Sequence, residues 1–133
     1  MGSVQNRKGR SSSPVRILVV EDSTPFREYI LSVLATHPYL QVIAAASDGL
    51  EAVQKAQELR PDLILMDIGL PSLSGIEAAR RIRKLVPEAK LIFLSQESSD
   101  DIIETALNTG ASGYVIKANA ETELLETLRT AIL

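Results

Sequence analysis

Leu63-Ile64-Leu65-Met66-Asp67, followed by Ile68-Gly69-Leu70-Pro71, is the stretch from which the fold is read. Four apolar residues between Pro61-Asp62 and a Gly-Leu-Pro turn signal are short enough for a strand. With no polar alternation, that strand must be covered on both faces. Asp67 then stands where the strand leaves the core, at the carboxyl edge of a sheet, where open α/β sheets bind ligands. Three other apolar runs end the same way. Arg16-Ile17-Leu18-Val19-Val20 runs into Glu21 and Asp22, Lys90-Leu91-Ile92-Phe93-Leu94 into Ser95, and Gly113-Tyr114-Val115-Ile116 into Lys117. Three acids, a hydroxyl and a cation at the tips of four buried strands constitute one candidate site.

Helical patterns lie between these runs. Thr24 is placed to cap a helix with Pro25 at its first position, running to about Thr36 before His37-Pro38. A weaker strand follows at 41–46. Asp48-Gly49-Leu50-Glu51 and Ser74-Gly75-Ile76-Glu77 read as capping boxes opening the next two helices. The second of these helices puts Ile76, Ala79, Ile82 and Val86 on one face and stops at Pro87. A helix over about 99–108 ends near Gly110, and a last one from Glu121 carries Leu124, Leu125, Leu128, Ala131 and Ile132 at helical spacing. Strands alternating with helices make a parallel sheet with crossover helices. Right-handed crossovers leave few topologies, and the expectation is five βα units in strand order 2-1-3-4-5. Glu21, Asp22 and Asp67 would then meet at the switch point between the first and third strands.

The bulk numbers fit one domain of this kind. A chain of 133 residues can bury a proper core, and it lacks cysteine, so thiolate metal sites and disulfides are excluded. The absence of cysteine fits a cytoplasmic protein, as does the lack of an apolar run near the ~20 residues of a membrane helix. Residues 1–13 hold Arg7, Lys8 and Arg10 among Gly, Ser, Asn and Gln, and are read as a disordered leader or cloning remnant. These three take +3 of a total of −3, so residues 14–133 carry −6. An acidic domain does not bind nucleic acid non-specifically. Arg80, Arg81, Arg83 and Lys84 are accordingly read as a solvated helix face, and His37 as a surface residue without a role.

Two carboxylates ~4 Å apart repel by roughly 4 kcal/mol at an effective dielectric of 20. Three in one crevice need a cation or a raised pKa. Oxygen ligands without imidazole or thiolate favour a hard ion, Mg²⁺ or Mn²⁺. Lys117 supplies a point charge able to pair with Asp67 at rest and with a phosphoryl group later. A carboxylate nucleophile, a Lewis-acidic ion and a lysine are what an aspartyl-phosphate site requires. Taken singly, Asp22 or Asp67 could be an N-cap, Ser95 a strand end and Tyr114 an ordinary core aromatic.

Taken together, these segments resemble the receiver domain of two-component response regulators. The resemblance covers nearly all of residues 14–133. It rests on Ile-Leu-Val-Val-Glu-Asp-Ser at 17–23, Asp-Leu-Ile-Leu-Met-Asp-Ile-Gly-Leu-Pro at 62–71 with Gly75, Ser95, and Gly-Ala-Ser-Gly-Tyr-Val-Ile-Lys at 110–117. It implies a CheY-like, flavodoxin-like fold and a phosphoacceptor, Asp67, charged by a sensor histidine kinase or phosphotransfer protein. It further implies that Asp22 and Asp67 hold Mg²⁺ directly, Glu21 through water and Gly69 through its backbone carbonyl. Ser95 and Lys117 would bind the phosphoryl group. Tyr114 would be the aromatic switch that turns inward when Ser95 moves, changing the surface of the fourth helix, fifth strand and fifth helix. That surface would support a homodimer.

Two positions depart from the common pattern. Ala118 replaces the proline that often follows the lysine, and a non-proline cis bond costs ~3 kcal/mol, so Lys117–Ala118 is expected trans. This Lys-Ala text is similar to receivers attached to LuxR/NarL-type helix-turn-helix outputs, and the chain is read as a truncated regulator whose transcriptional output domain is absent. Gln96 stands where such receivers carry a small residue, and its long amide would cover the site and slow phosphoryl entry and hydrolysis. That leaves an alternative, a pseudo-receiver acting as a phosphorylation-independent dimerisation module. A phosphohydrolase is disfavoured because Gly69 stands where such enzymes carry a second aspartate. The expectation is therefore a signalling domain that catalyses only its own phosphorylation and dephosphorylation.

Overall fold

The computed structural model describes residues 13–132, so the leader expected over 1–13 lies, Ser13 apart, outside the described residues. The elements are β1 (Val15–Val20), α1 (Thr24–Ala35), β2 (Leu40–Ala46), α2 (Gly49–Leu59), β3 (Leu63–Met66), α3 (Gly75–Leu85), β4 (Lys90–Ser95), α4 (Asp100–Leu107), β5 (Gly113–Ile116) and α5 (Ala120–Ile132). A 3-10 turn over Lys117–Asn119 joins β5 to α5. All strand pairs are parallel and the order is β2-β1-β3-β4-β5, the flavodoxin-like arrangement expected from the alternation.

Alternation within the strands sorts the core into two layers. Leu18, Val20, Ile64, Met66, Leu91 and Phe93 face α2, α3 and α4. Their chain neighbours Ile17, Val19, Leu63, Leu65, Ile92 and Leu94 face α1 and α5, meeting Ile30, Leu34, Leu124 and Leu128. Each such side chain contributes about 1.5–3 kcal/mol by leaving water, so a strand buried on both sides has no spare polar face. On the first layer the helices present small residues, Ala52, Ala56, Ala78 and Ala79, which lets α2 and α3 lie close to each other and to the sheet.

The helix starts follow local chemistry, with two corrections. Ser23, not Thr24, is the N-cap of α1, accepting from the Phe26 N–H at 3.4 Å, and Thr24 and Pro25 occupy the first helical turn. Either hydroxyl could cap; Pro25 tolerates both of the first two positions, so sequence spacing alone did not separate them. Asp48 caps α2 through the Glu51 N–H at 2.8 Å, and Glu51 reaches back to the Ser47 N–H at 2.9 Å. Ser74 caps α3, but Glu77 turns to Arg80 and Arg81 instead of closing the box. Among the described residues no peptide bond is cis, Lys117–Ala118 included. No helix among them is long and apolar enough to cross a membrane.

Candidate functional site

Strand register assembles the site. Val20 pairs with Met66 across β1 and β3, and the Asp67 N–H donates to the Val20 carbonyl at 3.1 Å. The residues immediately beyond, Glu21 and Asp67, therefore leave the sheet side by side. Ser95 pairs with Ile116 across β4 and β5, which sets Lys117 one step past the same edge. The three acids converge as expected: Glu21, Asp22 and Asp67 each offer a carboxylate oxygen, all within 4.8 Å of one another. Glu21 and Asp67 are buried and Asp22 is exposed.

Lys117 sits between the two buried acids. Its Nζ lies 2.9 Å from Glu21 Oε1 and 3.0 Å from Asp67 Oδ2, with only 11% of its side chain exposed. The remaining carboxylate oxygens are also engaged: Asp67 Oδ1 accepts from the Ile68 N–H at 2.7 Å, and Glu21 Oε2 from the Ser23 N–H at 3.0 Å. Burial pushes the Glu21 carboxyl above the usual carboxylate range, and its bond to Lys117 offsets this only in part. For Lys117, burial pulls the ammonium down, but the bonds to Glu21 and Asp67 outweigh it and leave the pKa raised. One ammonium against three acids leaves two formal negative charges in an oxygen-only set, which suits a hard divalent cation. A groove of ≈ 190 Å³ over these groups is also bordered by Gly69, Ser95, Gln96 and Glu97.

The loop behind Asp67 fixes the backbone from which its carboxylate projects. The chain turns sharply after Ile68, with Ser72 at φ 68° and the Gly75 N–H returning to the Ile68 carbonyl at 2.8 Å. This brings the start of α3 onto the backbone of Asp67. A Cβ at position 75 would lie 1.9 Å from the Asp67 carbonyl oxygen, so only glycine fits.

Ser95 and Tyr114 meet the same short segment. Ser95 Oγ, buried, accepts from the Glu97 N–H at 3.2 Å. Tyr114 is half-buried, 6.2 Å from the Phe93 ring, and its hydroxyl donates to the Glu97 carbonyl at 2.7 Å; burial raises its pKa. Elsewhere, Arg80, Arg81 and Lys84 are exposed on α3, the first two beside Glu77. Arg83 departs from the solvated-face expectation: it donates to the Pro87 and Ala89 carbonyls and so ties α3 to the entry of β4. His37 packs edge-on against Tyr39, remote from the acids.

Three contributors were assigned no role from the sequence, although Ser23 belongs to the 17–23 motif. Ser23 steadies Glu21, Arg27 donates to the Glu21 carbonyl at 2.7 Å, and the Phe26 ring lies 4.6 Å from Lys117 Nζ. Their nearness to the Glu21-Asp22 pair along the chain was the available signal; nothing local tied Phe26 to Lys117.

A family model described as the response regulator receiver domain matches residues 17–129. The transcriptional regulatory protein DegU of Brevibacillus brevis is 34% identical over 119 residues, covering 90% of this chain and 50% of its own length. The chain thus spans about half the length of the curated relatives it matches. The response regulator domain of Thermotoga maritima CheB superposes with a TM-score of 0.83 at 37% identity, covering 90% of this chain and 96% of that one. A LuxR-family two-component response regulator from an Aurantimonas species gives 0.84 at 33%, covering 89% and 84%.

Proposed function

The chain belongs to the response regulator receiver domain family, and from that premise we propose that Asp67 accepts a phosphoryl group from a phosphohistidine. The donor would be a sensor histidine kinase or a phosphotransfer protein. An Asp67 carboxylate oxygen attacks phosphorus, the P–N bond breaks, and the imidazole leaves with a proton. Hydrolysis reverses the state: water attacks phosphorus, releasing inorganic phosphate and the free carboxylate. The observation that carries this reading is the Lys117 ammonium held between Glu21 and Asp67 at 2.9 and 3.0 Å. Phosphoryl transfer asks a protein mainly for positioning and charge neutralisation, and this ammonium offers both.

Asp22, Asp67, Glu21 and the Gly69 carbonyl would hold Mg²⁺, with Mn²⁺ as a substitute. A divalent ion there supplies neutralisation of the phosphoryl oxygens. The protein's own groups do the rest. The Ile68 N–H fixes one Asp67 oxygen, Lys117 balances the incoming negative charge, and the Ser95 hydroxyl donates to a phosphoryl oxygen by leaving the Glu97 N–H. Tyr114, already anchored to the Glu97 carbonyl, would report that movement to the α4, β5 and α5 surface. We read residues 14–133 as the receiver unit, working in the cytoplasm to control a transcriptional output domain, with no chemistry beyond its own phosphorylation cycle.

Incubation with acetyl phosphate and Mg²⁺, followed by intact mass, tests the assignment. One phosphoryl adduct is expected, absent in Asp67→Asn and after EDTA. No adduct with any donor would leave the pseudo-receiver, with Gln96 at the border of the groove as its supporting feature. Light scattering with and without beryllofluoride tests the homodimer; an unchanged mass counts against it.

A further inference from the structure

We propose that Phe26 is a positioning residue for Lys117, holding the ammonium in the acidic groove through the face of its ring; this rests on the phosphoacceptor reading above. The Phe26 ring centroid lies 4.6 Å from Lys117 Nζ, inside the distance at which an aromatic face attracts a cation. Two carboxylates, Glu21 and Asp67, take up hydrogen-bonding capacity of the ammonium, and the ring presents an apolar, electron-rich wall in place of water. An ammonium has three donors, so the wall removes a solvated alternative that would draw Lys117 outward.

The ring is itself held in place. The Phe26 N–H is capped by Ser23 Oγ, the Ser23 N–H binds Glu21 Oε2, and the ring packs tilted against Tyr29 at 5.5 Å. Glu21 and Phe26 are thus linked through Ser23 and reach Lys117 together. The ring's attraction has a use that the carboxylates lack. When Asp67 turns its charge toward a phosphoryl group, its hold on Lys117 weakens, whereas a quadrupole does not change with phosphorylation. Lys117 then stays in reach of the incoming oxygens.

Phe26→Leu keeps an apolar side chain and removes the ring face. For a desolvated contact this corresponds to about five- to thirtyfold slower adduct formation from acetyl phosphate. Phe26→Tyr should recover the parent rate to within about twofold, since it keeps the ring. In a Lys117→Met background, Phe26→Leu should add nothing, because the residue acts through the ammonium. A separate readout needs no phosphoryl chemistry: the Lys117 ammonium resonance in ¹H–¹⁵N spectra, protected from exchange in the parent and Phe26→Tyr, should be lost in Phe26→Leu. Equal slowing in both backgrounds, or an unchanged ammonium resonance in Phe26→Leu, overturns the proposal. If the parent takes no adduct yet the resonance behaves as expected, the phosphoacceptor reading falls and the positioning role stands.

Discussion

Gly75→Ala should damage both the stability of the domain and the geometry at Asp67. The new Cβ would meet the Asp67 carbonyl oxygen at 1.9 Å and the Asp67 carbon and Ile68 Cα at 2.9 Å. To open 1.9 Å to even 3.0 Å, the start of α3 must retreat by about 1.1 Å, and the obstacle is backbone rather than a flexible side-chain end. Overpacking of this kind costs about 3 kcal/mol at the upper end of the usual range. Alanine returns up to about 1 kcal/mol through the stiffer unfolded chain, leaving a net loss near 2 kcal/mol. For a domain of this size that lowers Tm by roughly 6–10 °C. A displacement of about 1 Å near reacting atoms also costs up to about a hundredfold in rate, so adduct formation from acetyl phosphate should fall more than stability alone explains. Gly69→Ala is the control: nothing lies within 4 Å of its Cβ and its φ is not in the left-handed region. It should leave Tm unchanged or raise it slightly. Calorimetric melts of both variants decide the matter. A Gly75→Ala melt within about 1 °C of the parent, or a Gly69→Ala that melts well below it, refutes the packing argument.

Three further outcomes are expected. Ser95→Ala should still accept a phosphoryl group but lose the beryllofluoride-induced change in tyrosine environment; a parent-like response detaches Tyr114 from Ser95. Lys117→Met leaves Glu21 and Asp67 buried without their cation, costing about 2 kcal/mol after allowance for the open groove, and Mg²⁺ should raise its Tm by more than it raises the parent's. A smaller gain would show that the ammonium and the divalent ion do not share these carboxylates. Asp48→Ala removes the cap on the Glu51 N–H and should cost about 1 kcal/mol, read as a fall in thermal midpoint of roughly 3–5 °C, while adduct formation continues.

Much of this molecule is written locally. The unalternated runs at Ile17–Val20, Leu63–Met66 and Leu91–Leu94 announce buried parallel strands, and the acids and lysine that end such runs announce a shared edge, because each strand can leave a covered sheet only at its tip. Asp48 and Ser74 likewise mark helix starts, since an N-cap is a matter of a few neighbouring residues. The choice between Ser23 and Thr24 escaped that logic, both being hydroxyls beside a tolerant proline. Arg83 escaped it too: its pattern is that of a solvated helix face, yet it donates to the Pro87 and Ala89 carbonyls. What tertiary structure alone decided is how close things come. The Lys117 ammonium bonds both acids, the Phe26 ring stands against it, and Gly75 lies on the Asp67 carbonyl. The contacts of Lys117 join residues far apart in the chain and that of Gly75 closes a loop of eight, and all of them depend on strand register and on how each helix is rolled against the sheet. Burial of many apolar side chains sets those quantities collectively, and no short stretch of sequence carries them.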